Sequence, residues 1–415
     1  MLISLSLSQI SFRAARRILA FCAPAMLLLG FSLAPALAGS VNDIRLGVSK
    51  ERTRVVLDLS EKVDYRVFML ANPRRIVVDL PSLEWPAKSP KPDGLVGGVR
   101  FGQFTTDKSR LVLDAAKPVK LAKSFVLGPS SGLPHRLVLD LVPSTGKAFA
   151  AQVQKDRANS KRIAKGLAQK QTAPSPVPKK QRKANSKPVI VLDAGHGGVD
   201  PGAHGSKARE KNITLEFTRE LAKQLRRTGK YKVYLTRNRD IYIPLRQRVN
   251  IARKHNADLF VSIHADAIKR KNVRGMSIYT LSENASDKEA AALARKENQS
   301  DIIAGIDFAD QPAEVADILI DLAQRETKNL SVKFANIVVD NARGKTRLLE
   351  RTHRFAGFRV LKAPDVPSVL VELGFLTNRS DEKQLLSAAW RRKFAGALVK
   401  SVGAYFADGR VANIR

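Results

Sequence analysis

The sequence predicts a multidomain protein: an N-terminal all-β sandwich, then a C-terminal α/β hydrolase-type domain with a mixed or parallel sheet flanked by helices. Two patterns predict it. In the first third, four segments repeat a basic residue, an apolar run and an Asp: Arg54 to Leu59, Arg75 to Leu80, Arg110 to Ala115 (whose Asp is Asp114) and Arg136 to Leu141. Beyond residue 188, short apolar runs alternate with longer amphipathic stretches. A length of 415 residues accommodates two such domains and a linker, and 44% hydrophobic content supports sizeable cores.

At the N-terminus, Arg13, Arg16 and Arg17 precede the apolar stretch Ile18 to Leu33, which runs on to Ala36-Leu37-Ala38. This is the order of a secretory signal over 1–38, with cleavage expected after Ala38. A stable membrane anchor is not expected, because the stretch is short and broken by Pro24 and Pro35. The Arg16-Arg17 pair hints at twin-arginine export, although its surroundings match poorly and the general route stays open. The single cysteine, Cys22, lies inside this segment, which excludes disulfides, thiolate metal sites and cysteine nucleophiles from the mature chain.

Residues 39–145 form the β-rich domain. β-branched and leucine runs bounded by Pro, Gly and Ser make the repeats strands, and their recurrence suggests two similar halves. Their Arg and Asp residues read as strand-end charges; no catalytic constellation is visible, and the domain as a whole is expected to bind. Residues 146–187 are poor in large apolar side chains and carry twelve Lys and Arg against one acid, Asp156. This linker is expected to be disordered and extended by self-repulsion, either as a solvated spacer or as an attachment to an anionic envelope surface.

The remainder, 188–415, reads as a strand from Val189 to Leu192 and a helix capped by Asn212 through Leu215, Leu221 and Leu225. A strand from Lys232 to Leu235 and a helix from Pro244 to Lys254 follow. Then come strands from Leu259 to Ile263 and from Met276 to Leu281, and a helix from Val332 to Asp340. A strand from Ser368 to Val371 and a helix from Trp390 to Phe406 close the domain. The excess of 72 Lys and Arg over 38 Asp and Glu, a net +34, raises a polyanion binder as an alternative. The export signal argues against nucleic acid, and no recognition motif is visible.

Chemistry concentrates where strands end. Asp193-Ala194-Gly195-His196-Gly197-Gly198, Arg209-Glu210-Lys211-Asn212 and Ser262-Ile263-His264-Ala265-Asp266-Ala267 each deliver one ligand-type side chain. A His/Glu/His set suits a catalytic zinc with an open position. In open α/β sheets such residues gather beyond the carboxyl ends of strands. Val369-Leu370-Val371-Glu372-Leu373-Gly374 adds a carboxylate at the end of an apolar run, placed to serve as general base. Asp193 or Asp266 could hold a ligand imidazole in one tautomer. His204 reads as a supporting residue rather than a ligand, and His135, His255 and His353 read as surface residues.

These stretches resemble a known family. From about Lys187 to Phe406 the chain is similar to zinc-dependent N-acetylmuramoyl-L-alanine amidases of the bacterial cell wall, of the division-associated type. The matching segments are Leu192 to Ala203, Glu210-Lys211-Asn212, Ser262 to Asp266 and Pro367 to Asn378. The resemblance implies His196, Glu210 and His264 as zinc ligands, Glu372 as catalytic base, and Arg246 as an organiser of the substrate cleft. It implies hydrolysis of the bond between N-acetylmuramic acid and L-alanine in peptidoglycan, in a periplasmic setting and at the division septum. The N-terminal repeats resemble the β-rich localisation (AMIN-like) module fused to such enzymes, which is implied to bind peptidoglycan.

An insertion over 284–325 resembles the regulatory helix that plugs the active site of these amidases until a protein activator displaces it. Ser286 with Glu289 fits a capping box. Glu289 is the expected zinc-occluding carboxylate, Glu297 the second candidate, and a purely capping role for Glu289 stays open. Two further alternatives are a peptidoglycan-binding protein with an inactive hydrolase domain, and a zinc peptidase acting on stem cross-links.

Overall fold

The computed structural model describes residues 39–168, 186–306 and 318–408. The expected signal segment and the proline-bearing part of the linker lie outside these residues.

Eight strands build the N-terminal domain: β1 (Val41–Val48), β2 (Thr53–Leu59), β3 (Arg66–Leu70), β4 (Arg75–Pro81), β5 (Val96–Gln103), β6 (Lys108–Ala115), β7 (Val119–Leu127) and β8 (His135–Pro143). They form two four-stranded antiparallel sheets, ordered β1-β2-β8-β7 and β3-β4-β6-β5. The four repeats are β2, β4, β6 and β8, the central pair of each sheet. Central strands have neighbours on both edges and side chains on both faces, so they are the most apolar. Their alternate residues Val55, Leu57, Ile76, Val78, Leu111, Leu113, Leu137 and Leu139 share one core.

The repeated charges are more than strand-end punctuation. Antiparallel register sets Arg54 opposite Asp140 and Asp79 opposite Arg110. Both pairs close as bidentate ion pairs, at 2.7 and 2.8 Å and at 2.6 and 2.9 Å. Such a fork fixes register as well as charge.

The basic segment after β8 is not wholly extended. Residues Gly146–Ala168 form helix α1, correcting the expected disorder over that stretch. Phe149 and Val153, four residues apart, lie on one helical face and are buried in the β-domain core. Two apolar anchors at helical spacing suffice to dock a helix whose average composition is polar.

The C-terminal domain continues with β9 (Val189–Ala194), α2 (Glu210–Arg227), β10 (Lys232–Leu235), α3 (Leu245–Lys254), β11 (Leu259–His264), β12 (Met276–Leu281), α4 (Lys288–Glu297) and the single turn α5 (Ser300–Ile303). Then follow α6 (Ile318–Ala342), β13 (Leu348–Ala356), β14 (Ser368–Glu372), α7 (Arg379–Leu386) and α8 (Ala388–Ala407). The sheet is six-stranded and mixed, ordered β10-β9-β11-β14-β12-β13, with only β14 and β12 antiparallel. β9, β11 and β14 are buried along their whole lengths, because helices cover both faces. Ile190, Leu192, Val261 and Val371 face Phe217 of α2, Phe334 of α6 and Phe394 of α8. Val189, Val191, Phe260 and Leu370 face the other way, toward Leu245 of α3 and Leu293 of α4.

Most helix starts differ from expectation by one to three residues, but α6 begins at Ile318, well before the expected Val332. Asn212 does not cap α2, which begins at Glu210 after Arg209. The first-turn N–H groups of Glu210 and Lys211 instead donate to the carbonyls of Ala203 and Pro201 in the preceding loop. α4 is capped by Asp287, whose carboxylate accepts from the Ala290 N–H at 2.8 Å, rather than by Ser286. No helix among the described residues is long and apolar enough to cross a membrane.

If α1 seals the β-core, Phe149→Ala lowers the unfolding free energy by about 3–5 kcal/mol, measurable by urea denaturation. Unchanged stability would detach α1 from that core.

Candidate metal centre

Parallel register brings the site together. β9, β11 and β14 lie side by side and point the same way, with Ile263 level with Ala194 and His264 level with Glu372. His196 follows β9, His264 ends β11, Glu372 ends β14, and Glu210 opens α2. The four residues the sequence singled out therefore meet at one edge of the sheet.

His196 Nε2 lies 3.1 Å from Glu210 Oε1, and His264 Nδ1 lies 3.3 Å from the same oxygen. A fourth group completes the cluster: Glu297, the last residue of α4, places Oε2 3.3 Å from His196 Nε2 and 3.1 Å from His264 Nδ1. One ligand atom from each of the four residues lies within 4.8 Å of the others, and all four residues are buried. His196 Nε2, His264 Nδ1 and both Glu297 oxygens nonetheless lack a hydrogen bond. Buried polar atoms without partners are costly, and a convergent set of two imidazoles and two carboxylates is a donor set for a cation.

Electrostatics agree. Burial opposes protonation of His196, yet Glu210, Asp200 and Glu297 outweigh it and raise the imidazole well above its ordinary value. For His264, burial is likewise overcome, mainly by Glu297, and the ring is pushed up to about 10. Glu297 is held below the usual carboxylate range: burial opposes this, but His264 and His196 prevail. The cluster demands positive charge, which a divalent cation supplies without occupying a ligand nitrogen with a proton.

Neighbouring groups set each ligand's direction. His196 Nδ1 bonds to Asp200 at 2.8 Å, which turns Nε2 toward the cluster. That role falls to Asp200 rather than to Asp193 or Asp266; His-Gly-Gly-Val-Asp carried the signal, an acid four residues past the histidine. Glu210 Oε2 accepts from the Ala203 N–H at 2.8 Å and Oε1 from the Ala265 N–H at 2.9 Å. Glu372 Oε2 accepts from the Asp266 N–H at 3.0 Å, while Oε1 is buried without a partner. Burial, reinforced by Asp266, Glu210 and Glu297, raises the Glu372 carboxyl well above its usual range against the pull of His264.

The His196 loop needs its glycines and two buried arginines. A Cβ on Gly195 would lie 2.5 Å from the His264 ring, so only glycine lets β9 turn beside that imidazole. The bend leaves the carbonyls of residues 194 to 196 pointing inward. Arg248 Nη1 donates to the Ala194 carbonyl at 2.7 Å and Nη2 to that of His196 at 2.8 Å. Arg237 Nη2 reaches the Gly195 carbonyl at 2.8 Å. Asp193, itself fully buried, holds Arg248 at 2.9 Å, Thr236 at 2.6 Å and Ser262 at 2.7 Å.

Other expectations need correction. Glu289 does not reach the cluster; it sits in the first turn of α4, paired with Arg270 and with Arg354 at 2.8 Å. α4 enters the site by its C-terminal end, so the α4 carboxylate beside the two imidazoles is that of Glu297. Arg246 lies exposed on α3, whereas Arg248, two residues on, is buried behind the His196 loop. His204 is exposed. His135, His255 and His353 are half-buried rather than fully exposed; His255 stacks on Tyr234 at 3.8 Å.

Comparison with known proteins accords with this geometry. The profile of the N-acetylmuramoyl-L-alanine amidase family matches residues 190–404, and that of the AMIN domain matches residues 43–141. N-acetylmuramoyl-L-alanine amidase AmiC of Escherichia coli is 37% identical over 407 residues, covering 95% of this chain and 96% of its own length. AmiC of Neisseria meningitidis is 34% identical over 371 residues, covering 87% of this chain and 88% of its own. AmiA of Escherichia coli K12 is 40% identical over 229 residues, covering 55% of this chain and 79% of its own. A buried His/Glu cluster at the strand ends, a whole-chain match to AmiC and an N-terminal AMIN domain place this chain in one family: it is an N-acetylmuramoyl-L-alanine amidase, acting on peptidoglycan.

Proposed function

We propose that the chain is a zinc-dependent amidase whose own insertion holds it inactive. The observation that carries this is the convergence of Glu297 with His196, Glu210 and His264, with His196 Nε2, His264 Nδ1 and both Glu297 oxygens buried and without hydrogen bonds. His196, Glu210 and His264 would hold the ion, and Glu297 would take the position that an active hydrolytic centre keeps open. When bound, zinc supplies a Lewis acid for the scissile carbonyl and lowers the pKa of water toward neutrality.

Glu372 takes the proton from the attacking water and returns it to the departing L-alanine amine. Its anchored Oε2 fixes the carboxyl, its free Oε1 faces the reaction, and its raised basicity suits proton transfer near neutral pH. Asp200, Arg248 and Arg237 keep the His196 loop in place. Arg246, exposed on α3, keeps a proposed role in binding substrate outside the cluster.

Lys296 supports the occluded state by pairing with buried Asp266, next to His264. A protein activator that draws α4 away would remove Glu297 and Lys296 together. Export follows from the leader pattern in residues 1–38 and from a substrate that lies outside the cytoplasmic membrane. A periplasmic place and action at the division septum complete the proposal, on the strength of the family resemblance.

Three outcomes test it. Glu297→Ala and removal of residues 284–325 should each raise release of stem peptide from purified peptidoglycan, while Glu289→Ala stays near the parent. Parent-like release from Glu297→Ala would contradict the plug. A chelator should abolish release and strip about one zinc per chain, read independently by elemental analysis; retained activity in metal-free protein would end the zinc assignment. Glu372→Gln in the insertion-free chain should lose roughly 10²–10⁴-fold in rate with zinc content unchanged. A smaller loss would move the proton-transfer role elsewhere.

A further inference from the structure

The insertion is held at two ends. Beyond Glu297 the chain turns through α5 and runs along the outer face of the β3-β4-β6-β5 sheet of the AMIN domain. There Arg75, buried on β4, donates to the Ile302 carbonyl. Arg110, buried on β6, donates to the carbonyls of Ala304 at 3.1 Å and Gly305 at 3.0 Å. Arg110 is preset for this: Asp79 grips its Nε and Nη2, and its guanidinium lies 3.6 Å from the Phe104 ring centroid. Between the arginines, Val77 and Val112 close on Gly305, whose backbone conformation favours glycine. A Cβ on Gly305, whose φ is +75°, would lie 3.1 Å from Val77 and 3.3 Å from Val112.

The same few residues also touch the catalytic domain. Asp301, 1% exposed, accepts from the Tyr242 hydroxyl at 2.7 Å and from the Leu245 N–H at 3.0 Å. Val112, Ala304, Val199 and Tyr242 form one small apolar cluster drawn from the AMIN domain, the insertion and the catalytic domain. Tyr242 N–H donates to the Gln103 carbonyl of β5 at 3.2 Å, which ties the AMIN domain to the catalytic domain at the same place.

We propose that the AMIN domain is the second half of the lock: Arg75, Arg110, Val77 and Val112 hold residues 302–306 and so keep Glu297 seated between His196 and His264. This rests on the proposed inhibition by the insertion. Only four residues lie between Glu297 and Ile302, and Ile302 belongs to the turn α5, so the two contacts are closely linked. The consequence is that the wall-binding module and the catalytic state are coupled. Whatever lifts that sheet face from the insertion raises the open fraction, and whatever withdraws the insertion uncovers Arg75 and Arg110 on the AMIN domain.

The test uses the full mature chain. Charge-assisted hydrogen bonds are the strong ones, so losing three should raise the open population and basal stem-peptide release about tenfold in Arg75→Ala/Arg110→Ala. Gly305→Val, which alters neither β-domain nor catalytic core, should raise it as well. The arginine pair should change nothing in the chain lacking residues 284–325, because the element it holds is gone. Basal release at the parent level in both variants overturns the proposal, as does an equal rise in the deletion background. Should the arginine pair lower the melting temperature of the AMIN domain, Gly305→Val alone decides. If removing 284–325 itself fails to activate, the inhibition reading falls first, and this failure is distinct from the other two.

Discussion

Two imidazole nitrogens and the oxygens of Glu297 face one another in a buried site without a hydrogen bond among them. That arrangement is the constraint on which the rest of the structure depends. Leaving such groups unpaired costs several kcal/mol each, and a cation held among them would offset that cost. The surroundings are built to bear the strain of convergence. Asp200 turns one ring, backbone N–H groups of Ala203 and Ala265 aim Glu210, and three parallel strands deliver His196, His264 and Glu372 to one edge.

The sheet explains why residues separated by up to 176 positions meet, and the buried arginines explain why they stay. A glycine-rich turn beside an imidazole must leave carbonyls pointing inward, away from any strand partner. Arg248 and Arg237 satisfy those carbonyls, and Asp193 neutralises part of the resulting charge. Arg237 shows the strain of this solution: burial, with Arg248 alongside, lowers its guanidinium to about 10. The positive charge of the scaffold and the negative charge of the cluster are two layers of one electrostatic design.

Much of this was legible in the sequence because strand ends are legible. An apolar run followed by His or Glu places that side chain at the sheet edge whatever the loops do, and His196, His264 and Glu372 all follow this rule. Less legible were features that depend on helix phase and direction. Arg246 and Arg248 are two residues apart, about 200° around a helix, so the same short stretch carries one exposed arginine and one buried behind the His196 loop, and only the second goes unmarked in the sequence. Glu289 and Glu297 lie about 12 Å apart along α4. The capping signal marks the first, and nothing local reveals which end of the helix meets the two imidazoles. Helix α1 escaped notice because Phe149 and Val153 are outnumbered by lysines and arginines, although two anchors at the right spacing outweigh average composition. The arginines of the N-terminal repeats read as strand-end charges in the sequence, and only the packed structure gives Arg75 and Arg110 a partner in the insertion.

In the proposed regulation one helix carries the occluding carboxylate, and the turn that follows it contacts both the AMIN and the catalytic domain. Its central claim is that Glu297 is a ligand in the resting protein. An anomalous-difference map collected at the zinc edge from crystals of the zinc-loaded full-length chain tests this directly. The account predicts a single strong peak bonded to His196, Glu210, His264 and Glu297. A peak bonded to the first three and water, with Glu297 turned away, or a peak elsewhere, would contradict it.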